Sequence, residues 1–132
     1  MTKILCVDDE PMILKIYSRF LPRAGYEIVT ASDGTEALQV LAESNGSIDG
    51  IFTDDMMPQM RGLDLIPTIR RLEDSLAQTP IVVVCTGGNK SNDGTSLTPQ
   101  DYLNLGAQAF IKKPFRVDQL LEAAQTYFVK KA

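Results

Sequence analysis

Apolar residues in this chain gather in five short runs, each followed by a longer segment with a different spacing. Lys3 to Val7 is a continuous apolar run, as expected of a strand in a parallel sheet covered on both faces. After Asp8-Asp9-Glu10, Pro11 suits a first helical turn, and Met12, Ile13, Ile16 and Phe20 then follow helical spacing. Pro22 should kink or end that helix before Gly25 stops it. Tyr26 to Ala31 predicts a second strand. Ser32 or Asp33 caps a helix through about Ser44, with Ala37, Leu38 and Leu41 facing the core and Asn45-Gly46 closing it. The third strand is expected from about Asp49 to Thr53. A loop with Pro58 and Gly62 leads into a helix carrying Leu63, Ile66, Ile69 and Leu72, which Pro67 should either start late or bend.

Thr79-Pro80 introduces a fourth strand, Ile81 to Cys85. The polar loop from Gly87 to Leu97 is long for such a domain, which marks it as mobile or functional. Thr98-Pro99-Gln100-Asp101 is a helix start, and the helix ends at Gly106. A fifth strand, Ala109 to Ile111, precedes a helix over about 117–129 with Leu120, Leu121, Ala124 and Phe128 on one side. The order is strand then helix, five times over. With right-handed crossovers it predicts an α/β fold: a doubly wound, three-layer (βα)5 sandwich around a parallel five-stranded sheet. One domain over residues 1–132 is expected, with no room for an output domain.

In an open parallel sheet, ligands bind beyond the carboxyl ends of the strands. The first strand ends in Asp8-Asp9 and the third in Asp54-Asp55. The fourth ends in Thr86-Gly87-Gly88 and the fifth in Lys112-Lys113-Pro114. Converging carboxylates repel, and two of them ~4 Å apart cost about 4 kcal/mol at an effective dielectric near 20. Either one takes a proton or a divalent cation sits between them, and an oxygen-only, partly hydrated site suits Mg²⁺. Lys113 adds a flexible positive charge that pairs with Asp54 at rest, and Thr86 adds a hydroxyl. Together they form a carboxylate nucleophile with neutralising groups around a transferring phosphoryl.

Composition narrows the alternatives. The chain has no histidine, which removes Ser-His and Cys-His triads, His-based zinc sites and a phosphohistidine. A net charge of −4 argues against direct DNA binding and against anionic membranes. No apolar run approaches the roughly 18 residues of a membrane span, and the N-terminus shows no signal peptide. Cys6 and Cys85 sit inside apolar strands without metal spacing, which fits reduced thiols and a cytoplasmic protein.

Over nearly its whole length the chain resembles the receiver domains of response regulators in two-component signalling, the CheY-like family. Asp8 and Asp9 match the family's acidic pair, and Asp54 stands four residues before Pro58 of the Met-Pro step, where the family has its phosphoacceptor. Gly62 falls on the family's glycine, Lys113-Pro114 on its Lys-Pro, Thr86 on its Ser/Thr, and Phe110 on its aromatic switch residue. The resemblance implies the flavodoxin-like sheet order 2-1-3-4-5. It also implies that a sensor histidine kinase or histidine phosphotransfer protein donates a phosphoryl group to Asp54. Mg²⁺ would be held by Asp8, Asp9, Asp54 and the backbone carbonyl of Met56, with Asp8 acting through water. Lys113 and Thr86 would hold phosphoryl oxygens. Thr86 and Phe110 would then switch the face of helix 4, strand 5 and helix 5 toward a downstream protein target. Such a chain catalyses its own phosphorylation and dephosphorylation but is not a stand-alone enzyme.

Three departures from the family pattern bear on this. Counted from Pro80, the family's hydroxyl comes one position earlier, at Cys85; the Gly-Gly that follows selects Thr86. Phe110 lacks a tyrosine's hydroxyl. Met56 and Gly88 stand where relatives often place polar groups that handle the hydrolytic water, so slow loss of the phosphoryl is expected. A phosphorylation-independent protein-binding module is the alternative, and Mg²⁺ binding separates the two. An Asp-nucleophile phosphohydrolase wants an acid two residues after its nucleophile, where this chain has Met56. A flavin-binding protein of this fold would need a phosphate-cradling loop where Asp8 and Asp9 stand.

Overall fold

The computed structural model describes residues 2–44, 47–72, 80–87 and 97–128. Asn45-Gly46, Thr79, Val129, Gly88 and most of the long polar loop lie outside them. Five strands, β1 (Lys3–Val7), β2 (Glu27–Ala31), β3 (Gly50–Thr53), β4 (Ile81–Thr86) and β5 (Ala109–Lys112), form one parallel sheet in the order β2-β1-β3-β4-β5. The helices are α1 (Pro11–Phe20), α2 (Gly34–Glu43), α3 (Gly62–Leu72), α4 (Pro99–Leu105) and α5 (Val117–Tyr127).

The two faces of the sheet bury separate cores, because successive side chains on a strand point to opposite sides. Ile4, Cys6, Phe52, Val83 and Cys85 face one layer with Tyr17 of α1 and Leu120 and Ala124 of α5. Leu5, Val7, Ile51, Val82 and Val84 face the other with Leu41 of α2, Ile66 and Ile69 of α3 and Tyr102 of α4. This is the doubly wound architecture that the alternation of strands and helices predicts, in the flavodoxin-like order that the resemblance implies.

Local signals act where the sequence places them. The Asp33 carboxylate accepts from the Glu36 N–H at 2.8 Å and starts α2. Thr98 and Asp101 form a reciprocal capping box on α4, with Pro99 in its first turn. Leu21 ends α1, and Pro22–Ala24 make a single 3-10 turn closed by Gly25 at φ 97°. Pro67 lies inside α3 rather than delaying it, since the helix begins at Gly62. The hydrogen bond this proline forgoes is outweighed by Leu65, Ile66 and Ile69, all fully buried. β4 and β5 each run one residue past their apolar runs, because Thr86 and Lys112 still pair across the ladder.

Candidate functional site

Register carries the chemistry to one edge of the sheet. Val7 of β1 pairs with Thr53 of β3, so Asp8 and Asp54 follow on the next rung. Backbone bonds hold that rung: the Asp54 N–H donates to the Val7 carbonyl at 2.9 Å, and the Asp8 N–H to the Ala31 carbonyl at 3.1 Å. Thr86 pairs with Lys112, and the Lys113 N–H donates to the Thr86 carbonyl at 3.2 Å. Strand ends separated in sequence thus deliver two acids, a hydroxyl and an ammonium to one cleft.

That cleft has a volume of about 510 Å³. Asp9, Glu10, Asp54, Met56, Thr86 and Lys113 contribute to its polar end and rim, while Ile13, Ile16 and Phe115 form an apolar wall. Lys113 is the electrostatic centre. Its ammonium lies 2.6 Å from Asp8, 3.2 Å from Asp54 and 3.3 Å from Glu10. Burial works against the lysine's charge. The hydrogen bond to Asp8 and the negative charges of Asp54 and Asp8 outweigh it, holding the ammonium above the ordinary lysine range. Asp8 responds the other way. Burial pushes its carboxyl up to about 6, opposed by the hydrogen bonds from Lys113 and the Glu10 N–H and reinforced by the Asp54 charge.

The carboxylate oxygens that converge belong to Asp8, Glu10 and Asp54, all within 4.8 Å of one another. Asp9 is exposed and lines the same cleft without joining that group. Glu10 was not singled out by the sequence reasoning; its signal was the unbroken acidic run that it closes. The donor set is all oxygen, carries three carboxylates and leaves one of them shifted toward its protonated form by burial. A hard divalent cation fits such a set. Met56 is half exposed, with a relative exposure of 45%, and borders Asp54 in the cleft.

Thr86 and Cys85 are separated by the pleat. Cys85 is fully buried in the layer with Cys6, Tyr17 and Phe52, where burial pushes its thiol up to about 12. Thr86 lines the cleft. Phe110 is half buried on the opposite layer, its ring stacked on Tyr102 at 5.4 Å.

The loop leaving Asp54 is bound tightly to its neighbour, a feature the sequence reasoning missed. The Asp55 N–H donates to Asp54 Oδ1 at 2.8 Å. The Asp55 carboxylate, fully buried, accepts from Arg61 at 2.7 and 3.2 Å, from the Leu63 N–H at 2.8 Å and from the Tyr102 hydroxyl. Gly62 closes the turn, and a Cβ there would stand 2.4 Å from the Asp54 carbonyl oxygen. The acid beside Asp54 gave a signal, but Tyr102, its partner from α4, lies 47 positions on in the chain.

Residues 4–125 match the family model of the response regulator receiver domain. The chain is 34% identical over 121 residues to the chemotaxis protein CheY1 of Helicobacter pylori strain J99, covering 91% of each. It is 31% identical to the transcriptional regulatory protein CpxR of Escherichia coli K12, covering 92% of this chain but 47% of that relative, so it spans about half of CpxR's length. The fold superposes on the chemotaxis response regulator CheY4 of Vibrio cholerae with a TM-score of 0.79 at 31% identity, over 96% of this chain and 98% of that one. It also superposes on a CheX–CheY–BeF3–Mg²⁺ complex from Borrelia burgdorferi with a TM-score of 0.82 at 27% identity, over 98% of this chain and 90% of that one. Among the described residues no helix is long and apolar enough to cross a membrane. With acids, hydroxyl and lysine assembled on a CheY-like sheet, the chain belongs to the receiver domains of response regulators.

Proposed function

We propose that this receiver accepts a phosphoryl group on Asp54 from the phosphohistidine of a sensor histidine kinase or histidine phosphotransfer protein. The observation that carries the proposal is the single ammonium of Lys113 between Asp8 and Asp54 at the cleft floor. An Asp54 carboxylate oxygen attacks phosphorus, the P–N bond breaks, and its electron pair leaves with the donor's imidazole, which takes up a proton. The product is an acyl phosphate on Asp54. Lys113, already 3.2 Å from Asp54, reaches the new phosphoryl oxygens by a small rotation, and Thr86, which lines the same cleft, supplies a hydroxyl for them.

Mg²⁺ would be held, as the resemblance implies, by Asp8, Asp9, Asp54 and the Met56 carbonyl, and would neutralise charge on the phosphoryl group. Of these acids Asp8 and Asp54 converge with Glu10, a further oxygen donor for the ion. That a relative was solved with BeF3 and Mg²⁺ alongside CheX supports both the cation and a protein target. Thr86, drawn toward the phosphoryl, and Phe110 then shift α4, β5 and α5 toward a protein-binding state. The exposed thioether of Met56 positions no water, so the phosphorylated form is long-lived. The chain turns over no substrate of its own. A net charge of −4 and the absence of a membrane-crossing helix among the described residues suit a protein that works on other proteins.

The test is a small phosphodonor with Mg²⁺, read by intact mass on wild type and Asp54→Ala. One added phosphoryl in wild type, absent in the variant and with chelator, is the expected result. No addition together with no Mg²⁺ binding would favour a phosphorylation-independent binding module instead.

A further inference from the structure

Asp55 and Tyr102 take no part in the chemistry described so far, yet they join the phosphoacceptor's loop to α4 through a buried bond. Both side chains are fully buried, and the Tyr102 hydroxyl donates to Asp55 Oδ2. Burial, followed by the bond to Asp55 and that carboxylate's charge, holds the Tyr102 phenol in its protonated, donating form. The described donors to the Asp55 carboxylate differ in origin. Arg61 and Leu63 belong to the segment that runs from the loop into α3, so they travel with it. Tyr102 belongs to α4, 47 positions on in the chain. At the other end of this arrangement the Asp55 N–H donates directly to a carboxylate oxygen of Asp54. On the far side of Tyr102, its ring stacks on Phe110 at 5.4 Å with 29° between planes.

We propose that Tyr102 is a positioning residue of the switch: its hydroxyl, held by Asp55, transmits displacement of the loop after Asp54 to α4 and to the Phe110 ring. This rests on the phosphoacceptor role proposed for Asp54. Turning the Asp54 carboxylate into an acyl phosphate changes the charge on the group that the Asp55 amide bonds. The Asp55 carboxylate is fixed to its own loop by Arg61 and Leu63, so it moves with that loop. Tyr102 must then follow or surrender its bond, and a buried hydroxyl without a partner is unfavourable. The coupling does not depend on a hydroxyl at position 110, where this chain has phenylalanine.

The experiment follows backbone amide and aromatic NMR shifts on adding Mg²⁺ with beryllofluoride, a tetrahedral phosphoryl analogue. It compares wild type with Tyr102→Phe, which keeps the stacked ring and removes only the hydroxyl. In wild type the shifts are expected to reach Gln100–Leu105 and the Phe110 ring. In Tyr102→Phe the α4 shifts should fall by at least about half, while those at Asp54, Thr86 and Lys113 persist. Should loss of that bond unfold the variant, the Asp55→Asn/Tyr102→Phe double variant, which also removes the buried charge, should show the same selective loss. Undiminished α4 shifts in either folded variant would overturn the coupling alone. Absence of any shift at Asp54 in wild type would instead overturn the phosphoacceptor role, and the coupling with it.

Discussion

The Lys113 ammonium sits 2.6 Å from a carboxylate oxygen of Asp8, a partner 105 positions away in the chain. Asp8 is fully buried and the lysine side chain is 11% exposed, so the pair is shielded from the screening that weakens surface ion pairs. This contact holds the ends of β1 and β5 in a common site across the intervening strands.

Replacing the lysine should have two effects of opposite sign. Lys113→Met strands buried carboxylates, and the metal-free protein should lose about 3 kcal/mol in urea unfolding. The same variant should bind Mg²⁺ at least about tenfold more tightly in calorimetry. Even at the dielectric of water, a unit positive charge ~5 Å from a divalent cation repels it by about 1.7 kcal/mol. Weaker Mg²⁺ binding in the variant would mean that the cation does not share the lysine's carboxylates.

Asp8 makes metal-free stability depend on pH. Its carboxyl, ordinarily near 3.8, is pushed up to about 6 in the folded chain by burial, with the Asp54 charge adding to the rise against the pull of Lys113 and the Glu10 N–H. Between those values the folded protein holds a proton that the unfolded chain has released. Its contribution is therefore present in full below pH 4 and is lost as pH rises through about 6. Thermal unfolding without Mg²⁺ should show this loss in wild type and not in Asp8→Asn. Equal pH slopes for the two proteins would rule it out.

Adjacent positions at the end of β4 should separate by function. Cys85→Ser places a hydroxyl in an apolar layer and should cost about 1–3 kcal/mol, with phosphorylation of Asp54 unchanged in the folded fraction. Thr86→Ala should cost no more than about 1 kcal/mol in stability but slow phosphorylation and blunt the response of β5. If Cys85→Ser slows phosphorylation and Thr86→Ala does not, the phosphoryl-facing position is Cys85.

Tyr17 offers a stability test remote from phosphoryl transfer. Its ring stacks on Phe52 at 5.5 Å, but its buried hydroxyl has no hydrogen-bond partner among the described residues. The Cys85 thiol lies close enough to interact with it, but only as a weak and poorly directed partner. Tyr17→Phe keeps the stack and removes the orphaned group, so the urea midpoint should rise by an amount worth about 1 kcal/mol. A fall of similar size would reveal a hydrogen bond to the thiol.

Much of this protein was decided by its sequence alone. Strands covered on both faces must be continuously apolar, so β1, β3 and β4 stand out as Ile4–Val7, Ile51–Phe52 and Ile81–Cys85. Strand and helix alternation then determines a parallel, doubly wound sheet, and such a sheet gathers its strand ends at one edge. The acids Asp8-Asp9 and Asp54-Asp55, the hydroxyl of Thr86 and the ammonium of Lys113 are therefore legible as one site in the sequence. Pro67 was legible only as a conflict, because burial of Leu65, Ile66 and Ile69 overrides a local helix penalty.

Tertiary structure alone decided the rest, since it depends on which side chains meet rather than on where each strand stops. Strand pleat, which the Gly-Gly reading of Thr86 does not supply, sends Cys85 into the core layer and leaves Thr86 lining the cleft. The carboxylate of Glu10 joins Asp8 and Asp54, while that of Asp9 does not. Asp55 acquires its meaning only when Tyr102 of α4 joins Arg61 of its own loop to satisfy a buried charge. Hydrophobic periodicity specifies burial and direction, but hydrogen-bond partners between distant segments are chosen by packing, and no local pattern encodes them.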